Sequence, residues 1–513
     1  MKGVCRMSLR NTNAGLGIPR RGTRLLAALC ALMLLAGVLP LYAISFYNHP
    51  YYDDFIFSGS THDTWLATRS LSQTVQAALA GARAVRADWQ GTYTGTILSN
   101  LQPGVFGESY YWLTTFLLLT VFLLCFGFFF HTVFHGLLGA TRAESACVAC
   151  LALFLMTQFL PAANEAFFWF NGGIGNTFIY SLLALSLALC VRLWNARRGA
   201  PWLAVALFAL VTLLGGGSYG GGLYGLLLFG ILSVYAMLQK HKYRFVYAAL
   251  TVWFAACFLY SVSAPGNTVR AAMIGAHPSA VAAIAKSLYY GVALLGNYAT
   301  LPVLAVGLAL APLLWRLAGS SRFRFRHPVW VLLAGGGLFC AQLTPPLYGG
   351  VFLGGGRITD TYYFSFIALF FLYETYLLGF LARRRERLNK PAFTPVPALR
   401  RGLLVASACL FLLGCLGIKP TGATLYGPMN MAGGSAALSI VTGEAARYDR
   451  EMTARETLLK DLDQPVVTLA PLTATPAVLM EDLLAPGSAY DVRPTLCAYY
   501  HKTAVLVEGG AQP

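Results

Sequence analysis

Apolar runs of about 20 residues recur along most of the chain, and that repetition leaves few folds open to it. Coiled as a helix, a run of this length matches the ~30 Å hydrocarbon core of a bilayer. Inside hydrocarbon every backbone amide must find a partner within its own segment, so the runs are read as helices. Composition agrees, with 57% of the 513 residues hydrophobic and 11% charged, where a soluble domain has roughly 25% charged. The sequence therefore predicts an all-α polytopic membrane protein with about eleven spans. They fall near 25–47, 111–134, 145–163, 176–195, 202–218, 221–238, 245–263, 288–315, 329–347, 361–382 and 402–418. Pro302 and Pro312 predict a kink in the eighth of them.

A net charge of +17 would suit a nucleic-acid binder, but its distribution does not. The N-terminus brings Lys2, Arg6, Arg10, Arg20, Arg21 and Arg24, and alternate loops bring Arg142, Arg192, Lys240, Arg316 and the cluster Arg383 to Arg387. The loops between them hold only Arg69, Arg83, Arg86, Arg270, Lys286 and Arg357. Positive residues stay on the cytoplasmic side, so the N-terminus is placed inside and the tail outside, as in an inner-membrane-type protein. This order requires the glycine-rich stretch 215–222 to be a turn between two spans. Residues 1–24 form a basic cytoplasmic N-terminus, 25–418 the transmembrane domain with a first outer loop at 48–110, and 419–513 a small extracytoplasmic domain. That tail predicts a polar helix over 446–462 and short strands opening at Pro465 and Thr503, a small α/β unit. Nine cysteines sit in apolar runs, where Cys packs as a small hydrophobe. Cys147 and Cys150 form a CxxC without a second pair, which supports neither zinc nor redox chemistry.

Before the tail, acidic residues are scarce, and Asp53, Asp54, Asp63, Asp88, Glu108, Glu165 and Asp360 all fall on the outer side. Asp53 and Asp54 follow the first span almost at once, among Tyr51, Tyr52 and Phe55. Neighbouring carboxylates repel and lose water among aromatics, and both effects raise a carboxyl pKa. Perturbed groups of this kind gather at functional sites. Residues 71–88 predict a surface helix with Leu71, Val75, Ala78, Leu79, Ala82 and Val85 on one face. A tight aromatic turn from Trp89 to Gly95 follows, then Asn100. Between two spans, Glu165 and Trp169 stand four apart and share a face if that segment is helical.

Taken together these features resemble the polytopic GT-C glycosyltransferase superfamily, and within it the bacterial membrane proteins related to the O-antigen glucosyltransferases. The likeness is carried by Tyr52-Asp53-Asp54-Phe55, Trp89 to Gly95, Glu165 to Trp169 with the glycines after it, and Ser263 to Arg270. It implies a donor sugar on a polyprenyl phosphate or diphosphate, membrane lipid around the chain, a glycan or lipid acceptor, and Asp53 or Asp54 serving that acceptor. A carboxylate can take the proton of an attacking hydroxyl as general base. The leaving phosphate calls for cations, and Arg83, Arg86, Arg270 and Arg357 are the outer arginines suited to bidentate contact. Tyr51, Tyr52, Trp89, Glu165, Trp169, Asn171 and Asn267 complete the candidate substrate-binding set. The related proteins carry an arginine where this chain has Thr96. No cofactor is specified; a divalent cation such as Mg or Mn bridging Asp53/Asp54 and a diphosphate is compatible with the sequence.

Two readings of other classes compete. A lipid-linked sugar flippase calls for charged or broken helices near the midplane, and within the spans the chain offers Glu374 and little else. A non-catalytic partner in envelope assembly that keeps the same scaffold is the other, and Thr96 favours it.

Overall fold

The computed structural model describes residues 20–196, 199–275, 277–321, 323–350, 357–388, 397–417, 431–485, 488 and 491–508. Among the described residues eight helices are long and apolar enough to cross a bilayer: Arg21–Tyr47, Glu108–Leu137, Phe170–Asn195, Tyr219–Leu238, Arg244–Val262, Ala280–Tyr298, Leu301–Ser320 and Tyr362–Arg387. They make this a multi-pass membrane protein.

The expected span 288–315 divides into two of these helices. Thr300 takes an extended conformation and Pro302 stands in the first turn of Leu301–Ser320, where its missing N–H costs nothing. Proline here breaks the run instead of bending it. Three other expected spans are shorter than foreseen. Arg142–Gln158 has 17 residues and stops just before Leu160-Pro161, a pair that disfavours helix. Pro201–Gly215 has 15 residues and Pro328–Ala341 has 14, while the last expected span is the helix Pro397–Gly417. The glycine-rich stretch is a turn between two helices, with Ser218 capping Tyr219–Leu238 by accepting from the Gly221 amide.

In chain order the first elements are α1 (Arg20–Ile44), α2 (Asp53–Thr68), α3 (Leu71–Asp88), α4 (Tyr93–Asn100), α5 (Leu113–His131) and α6 (Arg142–Gln158). The long helices α1, α5 and α6 pack together, while α2, α3 and α4 form the first loop. Rings fill the space between α5, the segment 164–178 and the helix Arg357–Arg387; Phe122 lies 4.6 Å from Phe364 and 5.5 Å from Phe167. The floor beneath the first loop is thus rigid.

The tail returns to the same end of the molecule. Its helix Ala432–Val441 packs on α1 and α6, where Gln158 accepts from the Gly433 amide at 2.9 Å. The polar helix Glu444–Lys460 follows. Strands β1 (Val466–Leu469) and β2 (Ala504–Val507) pair in parallel, Val466 opposite Ala504. Tyr499 seats this unit on the first loop, edge-on to Phe55 at 5.0 Å and stacked on His62 at 4.9 Å. Loop and tail form one cap.

Candidate functional site

The acidic pair owes its place to a strained residue. Tyr52 has φ 30° and ψ −92°, a conformation costing a non-glycine residue about 1–3 kcal/mol. It turns the chain so that Asp53 and Asp54 open α2, where the helix N-terminus favours negative charge. Asp54 has no exposed surface. Its Oδ2 accepts from the Tyr51 amide at 3.0 Å and from the Tyr111 hydroxyl, and its Oδ1 accepts from the Asn171 amide at 3.1 Å. Tyr111 in turn accepts from the Phe170 amide at 3.0 Å. One carboxyl group thereby ties the first loop to the head of α5 and to the segment 164–178. Burial pushes Asp54 up to about 7, opposed by the Tyr111 hydroxyl and the two amides. Asp53 is half-buried beside it.

The segment 164–178 is not a regular α-helix. Asn164–Phe168 is π-helical, and Trp169 is extended at φ −107° and ψ 115° before a short turn of helix, Phe170–Gly173. Trp169 still lies near Glu165, both flanking Tyr51. Its ring meets Tyr51 edge-on at 5.4 Å. Glycine makes the doubling-back feasible, because a Cβ on Gly173 would stand 2.8 Å from the Ala166 carbonyl. Burial and the nearby carboxylates of Glu481 and Glu165 raise the Tyr51 hydroxyl well above its usual range. Buried here without a hydrogen-bond partner are Asn48 Oδ1, Asn164 Oδ1 and Asn171 Nδ2. Unmade bonds of this sort cost about 1–3 kcal/mol each, and a hydroxyl-rich ligand is one way to complete them.

A second group lies at the other end of α4. Arg86 donates to the Tyr260 carbonyl at 2.7 Å, its guanidinium 3.7 Å from the centre of the Tyr260 ring. Arg270 sits on the helix Pro265–Ile274, not in the loop that was expected; it donates to Gln90 Oε1 at 3.0 Å and lies 4.9 Å from the centre of the Trp89 ring. Asn267 donates to the carbonyls of Ser261 and Val262 and accepts from the Tyr219 hydroxyl at 2.5 Å. The aromatic turn ends at Thr92, earlier than expected, because Tyr93 begins α4. At the far end of α4 the Ser99 hydroxyl donates to Asn171 Oδ1. A helix of eight residues separates the two groups by about 12 Å along its axis.

So Tyr51, Tyr52, Asp53, Asp54, Trp169 and Asn171 come together, and Arg86, Trp89, Asn267 and Arg270 come together across α4. Arg83 is exposed on α3, and the Arg357 side chain lies outside the described residues. Thr96 is buried, its hydroxyl donating to the Thr92 and Tyr93 carbonyls at 3.1 and 3.2 Å. Tyr111, Asn48 and Ser99 were not singled out from sequence, since a tyrosine at a span entrance reads as an interfacial anchor. Among the described residues no three His, Cys, Asp or Glu side chains converge as a metal-ligand set.

Comparisons with protein-family models, with curated proteins and with solved structures return no match to this chain.

Proposed function

We propose that the protein is a membrane glycosyltransferase moving a sugar from a polyprenyl-phosphate-type donor to an envelope glycan, lipid or protein acceptor. The reaction takes place on the outer face of a bacterial cytoplasmic membrane, on a multi-pass scaffold whose first loop and tail lie on that face. One observation carries the reading: a buried carboxylate, Asp54, next to Asp53 in the chain, locks the first loop onto the segment 164–178 where Tyr51 meets Trp169, across α4 from Arg86 and Arg270.

Asp53 is the general base and Asp54 positions it. The acceptor oxygen forms its bond to the anomeric carbon as Asp53 takes the hydroxyl proton. The bond from that carbon to the donor phosphate oxygen breaks, and the phosphate departs with the electron pair. Arg86 and Arg270 meet the developing negative charge. Tyr51, half-buried and backed by Trp169, offers a face for a sugar ring.

Purified protein given a polyprenyl-phosphate-linked sugar is expected to make a new glycosidic bond, detected by mass spectrometry of the products. Asp53→Asn should lower turnover by about 10²- to 10⁴-fold, the range for losing a general base. Full turnover in Asp53→Asn, Asp54→Asn and the double variant would remove both residues from the chemistry. A flippase reading draws on Glu374, whose Oε2 is buried without a partner in the helix Arg357–Arg387. Donor movement across liposomes without a new glycosidic bond would decide for it.

A further inference from the structure

The tail and the first loop line an open cleft between them. Tyr51 and Tyr52 line it from the loop, and Tyr448, Glu456 and Glu481 from the tail. Its electrostatics run against the rest of the chain. The first loop (48–110) and the tail (419–513) hold fifteen of the twenty Asp and Glu, but only ten of the thirty-seven Lys and Arg.

Not all of these carboxylates are neutralised where they face the cleft. Asp482 forms a bidentate pair with Arg455 at 2.8 and 2.9 Å. Glu108 is met by the Tyr500 hydroxyl and, at 3.6 Å, by His49. Glu456 has Lys460 four residues on, yet burial and the Glu108 charge still raise its carboxyl. Among the described residues Glu481 takes only a long bond, 3.5 Å, from the Tyr51 hydroxyl. Carboxylates crowded in a partly dry cleft disfavour one another's charge, and a cation between them relieves that repulsion. Tyrosine faces add to the attraction for ammonium. A phosphate would be repelled here, and the arginines suited to it lie at the other end of α4.

We propose that this cleft binds an amine-bearing, hydroxylated ligand, a sugar with a free ammonium group, held between Glu456 and Glu481 with its ring against Tyr51 and Tyr52. That this ligand is the acceptor rests on the glycosyl-transfer reading; its binding does not.

The experiment is isothermal titration of full-length protein in detergent with three probes: deacetylated chitotriose, N-acetylated chitotriose and cellotriose. The deacetylated probe should bind about tenfold or more tightly than either neutral one at pH 6, tenfold being one interaction of ~1.4 kcal/mol. Glu481→Gln and Glu456→Gln should each erase most of that preference, with limited proteolysis confirming that the tail stays docked. If a variant undocks, the ranking of the three probes on the unsubstituted protein decides by itself. Equal affinity for all three, binding of none, or a preference that survives in docked Glu456→Gln/Glu481→Gln would overturn the proposal. Amine-selective binding without transfer leaves the cleft standing and defeats the transferase reading, and transfer without amine selectivity does the reverse.

Discussion

A carboxylate without exposed surface keeps its charge only if hydrogen bonds replace the water it has lost. Asp54 has three donors for that purpose, and burial still holds its pKa at about 7 against the ordinary 3.8. The folded protein therefore binds a proton at Asp54 that the unfolded chain has already released between these two values. Stability falls as pH rises through that window, and the loss is complete above pH ~7. A shift of this size corresponds to about 4 kcal/mol at most. Asp54→Asn has no such titration, so its stability relative to the unsubstituted protein should improve from pH 4 to pH 8. Thermal unfolding in detergent, followed by tryptophan fluorescence at both pH values, measures the difference. A constant difference would show that the donors cancel the cost of burial. This residue was half legible in the sequence: adjacent acids among aromatics mark the place, but which of the two is buried depends on Tyr111 and Asn171, 57 and 117 residues further along.

At the scale of elements, what could be read followed hydrophobic periodicity and capping. The helix expected over 71–88 is α3, opened by Ser70 accepting from the Gln73 amide. Its apolar face divides, however: Ala78 and Ala82 are buried while Leu71, Val75 and Leu79 are exposed. The strands opening at Pro465 and Thr503 are β1 and β2. By contrast α2 gave no signal, because the face it buries is made of Asp54, Phe55, Ser58, Thr61 and His62. Polar packing of that kind has no apolar stripe to read. The extended break at Trp169 is likewise set by contacts distant in sequence. So is the join between the aromatic turn and the segment after Ser261, where two glycines bring backbones together. A Cβ on Gly91 would lie 1.9 Å from the Ser261 carbonyl oxygen, and one on Gly266 would lie 2.3 Å from the Trp89 nitrogen. Neither neighbour is a flexible side chain. Gly266→Ala should therefore destabilise the protein by about 1–3 kcal/mol, as overpacking does, and move Arg270 off Trp89. Gly296→Ala, in open space on the helix Ala280–Tyr298, should be neutral or slightly stabilising. Melting temperatures of the two variants, compared side by side, test this; equal values would mean that the join yields without strain.

For the whole molecule the decisive contact joins two ends of the chain. His49, just beyond α1, lies 3.0 Å from Asp449 of the tail through Nε2 and 3.6 Å from Glu108 through Nδ1. Tyr448 approaches the same ring at 5.9 Å, and Glu456 is close enough to feel its charge. Burial alone would lower the imidazole pKa, but the bonds to Asp449 and Glu108 outweigh it and raise it to about 9. Because the folded value lies above the ordinary 6.5, this contribution is fully present below pH ~6.5 and is lost as pH rises through 9. The shift corresponds to about 3 kcal/mol. It acts where the tail meets the membrane domain, so the tail should loosen before the spans do. Hydrogen exchange of the helix Glu444–Lys460 is expected to quicken between pH 7 and pH 10 by more than the intrinsic chemical rate. His49→Gln should show the faster exchange already at pH 7. The exposed pair His501–Asp63, at 3.1 Å with side chains 63% and 47% accessible, contributes little by comparison, so His501→Gln should leave exchange nearly unchanged. If His49→Gln exchanged no faster than the unsubstituted protein at pH 7, docking would rest on the rings of Phe55, His62 and Tyr499 rather than on this charge. The tail would then release only when the first loop itself unfolds.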